Sequence, residues 1–305
     1  MTDPLIKNVS DTAFMVAIYR AIESERADAL FHDPLASKLA GEHGRRIVAY
    51  LSSRLGRGWT IAMRTRVMAW VMAIRTRIID DFIIAAVAQG TDAILNLGAG
   101  LDTRPYRLEI PSSLCWIEVD YPTMIEFKDD RLTQETPRCR LERVKLDLAD
   151  LPARSQLFSQ LSSRFANVLV LTEGVIPYMS NEQVAGLAED LKAQSSFRRW
   201  IVDYFSQESL RWRQRSALQR AMQNAPFLFE PKDYFGFFEQ HGWRPSEIRY
   251  LWDEGRRLNR PLPIPWIAIL HFAFTSLFMS KRRRNERRKF AAYVLLEPTR
   301  GVDQR

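Results

Sequence analysis

Four short apolar runs in the middle of the chain each end on a turn or an acid. ILNL (94–97) runs into Gly98-Ala99-Gly100, CWIEV (115–119) into Asp120, RVKL (143–146) into Asp147 and NVLVLT (167–172) into Glu173. Near-continuous apolar runs of this length suit strands buried on both faces of a parallel sheet. WIVDYF (200–205) reads as a fifth strand, EIRYL (247–251) as a sixth and FAAYVLLE (290–297) as the last. Helical stretches such as NEQVAGLAEDLKAQ (181–194) lie between. Strand–helix alternation predicts an α/β, doubly wound, mostly parallel sheet. In open sheets of this kind ligands bind beyond the carboxyl ends of the strands. The glycine turn and the three acids are therefore expected to line one crevice.

The flanking regions read differently. Residues 1–93 are expected to be helical, with apolar residues at helical spacing through Phe14, Ile18, Ala21 and Ile22, and again through Met63, Val67, Trp70 and Ile74. Residues 206–240 also read as helical, with Arg211, Arg213, Arg215 and Arg220 on one face and several aromatics. The expected organisation is a helical cap over 1–92, an α/β core over 93–205, a helical lid over 206–240, and the last core strands over 241–305 with an apolar and basic insertion at 255–289.

Composition excludes some classes. At 305 residues, 46% apolar and 26% charged, the chain has the make-up of a globular protein. Its two cysteines, Cys115 and Cys139, form neither a disulfide framework nor a metal-ligand pattern, so no metal and a reducing, cytoplasmic compartment are expected. No basic segment followed by an apolar core opens the chain, so no signal peptide is expected. The net charge of +8 is local: KRRRNERRK (281–289) carries +6, and +8 less +6 leaves +2 for the rest. A nucleic-acid-binding face is not expected from so confined a charge.

Gly-x-Gly alone has several readings. A dinucleotide turn wants a small residue three positions after the second glycine, and Thr103 stands there. A phosphate loop needs Gly-Lys-Ser/Thr, which is absent. The glycines also suit a plain tight turn. Asp120, twenty residues beyond the turn, can accept both hydroxyls of a ribose, a need shared by NAD and S-adenosylmethionine. Asp147 can accept the exocyclic amine of an adenine, and Glu173 can receive an ammonium group, which S-adenosylmethionine has and NAD lacks. The acids together favour S-adenosylmethionine.

Several stretches carry a resemblance. They are TAFMVAIYRAIESERADALFHDPLA (12–36), IRTRIIDDF (74–82), ILNLGAGLDTRPYRL (94–108), WIEVDYP (116–122), KLDLADLP (145–152) and LTEGVIPYM (171–179). With these the chain resembles the leucine carboxyl methyltransferase family, in its bacterial branch with tetracenomycin-type polyketide carboxyl O-methyltransferases. The resemblance implies a class I S-adenosylmethionine-dependent methyltransferase with a seven-stranded Rossmann-like sheet and a helical cap. It implies that Arg75 pairs with the cofactor's carboxylate, with Arg20 as a second basic group nearby. Gly98 and Gly100 would let the backbone approach the cofactor, and Asp120 would take the ribose hydroxyls, with Glu118 beside it as a substitute. Asp147 and Leu148 would flank the adenine, Glu173 would take the amino group, and Tyr178 would face the methyl or the acceptor. GVIPY stands where many relatives have GLLMY, which leaves the shape of the acceptor pocket open.

Plainer readings compete at several positions. Arg75 and Arg77 share a helix with Asp80 and Asp81, where surface pairing is common. Arg104 and Arg107 suit braces of the helix after the turn, and Asp102 its N-cap. None of His32, His43, His241 and His271 has a partner that makes a triad visible. IPWIAILHFAFTSLFM (264–279) is too short to span a bilayer. It reads as a buried lid helix, as an interfacial helix at the inner membrane face anchored by the basic run, or as a partner surface. A carboxylate acceptor needs no general base, so carboxyl O-methylation of a small hydrophobic or polyketide-like acid is favoured over a phenol or alcohol acceptor. A nicotinamide oxidoreductase and a membrane-associated binding module are the readings from other classes. Oligomeric state is not legible in the sequence.

Overall fold

The computed structural model describes residues 6, 8–54, 60–215, 223–265, 286 and 288–299. The chain forms two compact units. One comprises Met1–Ile78, Tyr204–Pro226 and Arg249–Tyr293; the other Ile79–Asp203, Phe227–Ile248 and Val294–Arg305. The segment 206–240 is thus divided between them.

The first unit contains α1 (Asp11–Ser24), α2 (Pro34–Arg54) and the Ile61–Ile78 part of α3 (Ile61–Ala88). Met15, Ile18, Tyr19 and Ala21 bury one face of α1. Gly44 lets α2 come close: a Cβ there would lie 2.8 Å from Ile18 Cγ1 and 2.8 Å from the Phe14 carbonyl. Trp70 donates its indole N–H to the Arg260 carbonyl at 2.8 Å.

The seven-stranded sheet runs β3-β2-β1-β4-β5-β7-β6. Its strands are β1 (Ala93–Leu97), β2 (Cys115–Asp120), β3 (Arg140–Lys145), β4 (Val168–Thr172), β5 (Phe197–Phe205), β6 (Trp243–Tyr250) and β7 (Ala291–Pro298). β1 pairs in parallel with β2 and β4, β2 with β3, and β4 with β5. The strand order reverses between β1 and β4, which is where such sheets open a ligand crevice. Every residue of β1, β2 and β4 is buried, which explains their unbroken apolar runs. The helices α4 (Arg104–Arg107), α5 (Pro122–Leu132), α6 (Leu151–Arg164) and α7 (Asn181–Lys192) follow β1 to β4 in turn.

Differences from the sequence reading fall at the margins. β3 begins at Arg140 rather than Arg143, and β6 at Trp243 rather than Glu247. Both are the outermost strands in the order, half open to solvent, so their polar residues broke the apolar pattern. Leu251 opens a helix, α10 (Leu251–Arg257), instead of closing β6. The stretch 206–240 is not helical throughout. α8 (Gln207–Arg215) and α9 (Tyr234–Gln240) are helices, but 223–233 is not, and it contains Pro226 and Pro231. There the N–H groups of Leu228 and Phe229 donate to the Pro177 carbonyl, at 2.8 and 3.4 Å.

Arg220, residues 266–279 of the apolar stretch, and 281–285 and 287 of the basic run lie outside the described residues. Among the described residues no helix is long and apolar enough to cross a membrane.

Candidate cofactor-binding site

β1 ends at Leu97 and the chain turns through Gly98 (φ 67°) and Gly100 (φ 47°), the left-handed region that favours glycine. A Cβ on Gly98 would lie 2.4 Å from Val175 Cγ2. That demand comes from the loop after β4, so packing against Val175 by itself requires a glycine at 98.

Three N–H groups of the turn are spent inside the protein. Gly98 and Ala99 donate to the Val119 carbonyl at 2.8 and 3.1 Å, and Gly100 donates to Asp120 Oδ2 at 2.6 Å. A pyrophosphate nest uses such N–H groups on its ligand. Here they hold the turn to the end of β2.

Register lines up the strand-end acids. Leu97 pairs with Val119 and Asn96 with Leu171. Asp120 thus lies one residue past the last β1–β2 pair and Glu173 two residues past the last β1–β4 pair, on the strands either side of β1. Asp120 is 8% exposed. Its Oδ1 accepts the Tyr121 N–H at 2.7 Å, as its Oδ2 accepts that of Gly100. An ionised carboxylate has about four acceptor positions, so each oxygen keeps one for a ribose hydroxyl. Burial pushes the Asp120 carboxyl above its ordinary value, while the Gly100 and Tyr121 N–H groups and the Lys128 ammonium pull it back.

Asp147 is exposed two residues past β3, its Oδ1 accepting the Ala149 N–H at 2.9 Å. Leu148, half-buried, has its carbonyl held by Arg154 Nη1 at 3.0 Å. Glu173 directly follows β4, and its Oε2 accepts from Arg104 Nη1 at 2.6 Å. Five residues on, Tyr178 closes a 3₁₀ turn (Ile176–Tyr178) and stacks on Phe227, with centroids 5.1 Å apart and planes at 20°.

Glu118, expected as a substitute for Asp120, has another role. It is wholly buried, with Oε1 bound to Lys128 Nζ at 2.7 Å and Oε2 to Arg143 Nε at 2.8 Å. Both oxygens are committed to cations behind β2, away from any solvent-accessible ligand.

The two arginines assigned to the cofactor's carboxylate belong to the helical unit. Arg20 Nε donates to Asp33 Oδ2 at 2.8 Å, and both side chains are buried. Arg75 Nη1 lies 3.8 Å from Met72 Sδ, and its guanidinium sits over the Tyr293 ring, 5.8 Å from the centroid. Of the two acids on the Arg75 helix, Asp80 is buried and bound to Arg104 and Arg107.

Three residues at this edge escaped the sequence reading. Asp203, in β5, accepts the Gly174 N–H on Oδ2 at 2.8 Å; its signal was one more acid near a strand end. Asp80 was read as surface charge. Tyr121, directly after Asp120, is 48% exposed, and the Asp147 and Asp120 carboxylates add to burial in raising its phenol. An exposed ring between those acids is a flat surface for a purine, and its signal was the aromatic in EVDYP.

Among the aromatics of 227–240, Phe229, Tyr234, Phe237 and Phe238 pack edge-on or tilted against one another, with Phe238 against Trp200 and Trp200 against Trp243. Phe238, Trp200 and Trp243 are fully buried and belong to the core, while Tyr234 and Phe237 are half-buried.

The donor set fits a nucleoside that carries a cation: acids at the strand ends on both sides of the turn, and the Gly98, Ala99 and Gly100 N–H groups bonded within the protein. Comparison with known proteins agrees. The sequence model of the leucine carboxyl methyltransferase family matches residues 13–192. A protein of Mycobacteroides abscessus described as an S-adenosyl-L-methionine-dependent methyltransferase is 30% identical over 283 residues, covering 85% of this chain and 91% of that protein. One of Streptomyces coelicolor with the same description is 30% identical over 248 residues, covering 77% and 83%. The solved structure of a DUF574 family protein from Streptomyces avermitilis superposes with a TM-score of 0.51 at 15% identity, over 93% of this chain and 96% of that one, and so shares the fold. With more than half of its length matched by one family model, and a strand-end site where that family's motifs fall, the chain belongs to the leucine carboxyl methyltransferase family.

Proposed function

We propose that this chain, an S-adenosylmethionine-dependent methyltransferase, transfers the methyl group to a carboxylate of a hydrophobic small molecule, a polyketide-like acid among them. The observation that carries the cofactor assignment is Asp120, whose two oxygens each keep an acceptor position beside a turn whose Gly98, Ala99 and Gly100 N–H groups are bonded within the protein. Bound S-adenosylmethionine supplies a methyl group on a sulfonium sulfur, which is already activated toward a nucleophile.

The protein's part is binding and orientation. Asp120 takes the ribose hydroxyls, Asp147 and Leu148 border the adenine, and Glu173 takes the amino group. For Arg75 and Arg20 the support is the family motif. Tyr178, on its rigid proline-containing turn, borders the acceptor. Fixing the acceptor oxygen in line with the methyl lowers the barrier by orientation rather than by proton transfer.

A carboxylate is ionised at neutral pH and needs no base to attack. Methyl-labelled cofactor with a panel of hydrophobic acids and matched phenols tests the reading. Methyl esters are saponified by mild alkali and release volatile labelled methanol, which aryl ethers do not. Base-labile label on acids is the expected result, and label stable to alkali on phenols would overturn the carboxyl assignment.

The basic run 281–289 is consistent with a peripheral contact on an anionic membrane surface, where each Lys or Arg adds about 1 kcal/mol of attraction. Salt-sensitive binding of the full chain to phosphatidylserine vesicles, absent on phosphatidylcholine, is the expected result.

A further inference from the structure

A buried charge cluster lies under the glycine turn. Arg104 is 2% exposed. Its Nε donates to Asp80 Oδ1 at 2.6 Å, and its Nη1 to Asp102 Oδ2 at 3.0 Å and Glu173 Oε2 at 2.6 Å. Asp80 is gripped from its other side by Arg107, with Nη1 on Oδ2 at 2.7 Å and Nη2 on Oδ1 at 2.9 Å. Asp102 is fixed as well: its Oδ2 accepts Asn96 Nδ2 at 2.9 Å and its Oδ1 the Arg104 backbone N–H at 3.0 Å.

Bracing α4 needs less than this. The start of this four-residue helix is already held by the Asp102 carboxylate on the Arg104 backbone N–H and by the Tyr106 N–H on the Thr103 carbonyl, and a buried guanidinium is costly to desolvate. The member of the cluster that reaches the strand-end row is Glu173. Its backbone is pinned at the next residue, where the Gly174 N–H meets Asp203, but its side chain still has three torsions to fix. Arg104 fixes them, and Asp80 and Asp102 fix Arg104. The fork of a guanidinium suits this task because its N–H groups point in set directions, which an ammonium's do not.

We propose that Asp80 and Arg104 are positioning residues for Glu173, holding its carboxylate at the sheet edge in the orientation that receives the cofactor's ammonium group. This rests on the reading that Glu173 takes that group. Asp80 acts at one remove, through Arg104, and neither touches the cofactor.

The test uses two ligands that differ only in the part concerned. S-adenosylhomocysteine carries the amino-acid moiety, and 5′-methylthioadenosine keeps the nucleoside without it. Calorimetric titrations compare the full-length parent with Glu173→Gln, Arg104→Lys and Asp80→Asn. Arg104→Lys keeps a positive charge but not the fork, and Asp80→Asn keeps Arg104 and the shape of its partner. Each variant is expected to lose about tenfold or more in affinity for S-adenosylhomocysteine. Affinity for 5′-methylthioadenosine should stay within about twofold, since Asp120 is untouched.

Other outcomes overturn the proposal in distinguishable ways. If Glu173→Gln keeps the parent's ratio of the two affinities, Glu173 does not take the ammonium group, and the underlying reading fails with the proposal. If only Glu173→Gln changes the ratio, Glu173 works unaided and the proposal alone fails. If Arg104→Lys and Asp80→Asn weaken both ligands equally and lower the melting temperature, the cluster is a brace of the fold and the proposal fails.

Discussion

The Asp120 carboxylate accepts the Gly100 N–H at 2.6 Å, joining the end of β2 to a turn twenty residues earlier. One side chain thus shapes the turn and keeps acceptor positions for a ligand. Two hydroxyls need the ionised form, and burial raises the pH at which that form is lost. S-adenosylhomocysteine affinity is therefore full above the folded-state pKa of Asp120. It falls as pH drops through that value, earlier than for an exposed aspartate. Asp120→Asn should bind at least about tenfold more weakly at neutral pH, with a flatter acid limb. Titration calorimetry across pH 4 to 8 reads both, and an unchanged acid limb in the variant would refute the assignment of that limb to Asp120.

Gly98 gives a packing prediction. Gly98→Ala places a methyl at 2.4 Å from Val175 Cγ2 and holds an alanine at φ 67°. The conformation costs about 1–2 kcal/mol and the overpacking about 1–3 kcal/mol. Adding Val175→Ala should recover the second part and not the first. Urea denaturation of the two single variants and the double variant measures the split.

The buried strands and the acids at their ends were legible because both faces of β1, β2 and β4 are covered, which forces apolar runs and leaves polar residues only where the strand stops. β3 and β6 were half-legible because an edge strand alternates with solvent. Asp120 and Glu173 could be placed at the strand ends from the apolar pattern alone. The commitment of Glu118 to Lys128 and Arg143 could not be read in that way, because β2, α5 and β3 meet only in three dimensions. Arg104 and Asp80 looked like local helix charges for the same reason: their bond joins positions 24 apart, and Arg104 and Glu173 are 69 apart.

The cysteines should be inert in the native state. Burial raises the Cys115 thiol to about 11, helped by its hydrogen bond to Glu142, and burial raises Cys139 likewise to about 11. At pH 8 each is thiolate in only about one molecule in a thousand. Iodoacetamide at that pH should leave both unmodified for hours in buffer and label both within minutes in guanidinium. Mass spectrometry counts the adducts, and prompt native labelling would contradict the burial.

Lys128 and Glu118 form a wholly buried ion pair at 2.7 Å, with Arg143 on the second carboxylate oxygen at 2.8 Å. Removing one partner of such a pair leaves a charge without its compensation, at about 3–5 kcal/mol. In Lys128→Met the Arg143 guanidinium still holds Glu118 Oε2, so stability should fall by less than that, and adding Glu118→Gln should return part of the loss, since the remaining carboxamide is neutral. A denaturant double-mutant cycle gives the coupling. Lys128→Met also has a second, independent effect. The ammonium is one of the groups that pull the Asp120 carboxyl down, so its loss raises that carboxyl further. The acid limb of S-adenosylhomocysteine binding should then move to higher pH in Lys128→Met. A stability loss without that movement would separate the buried pair from the ligand site.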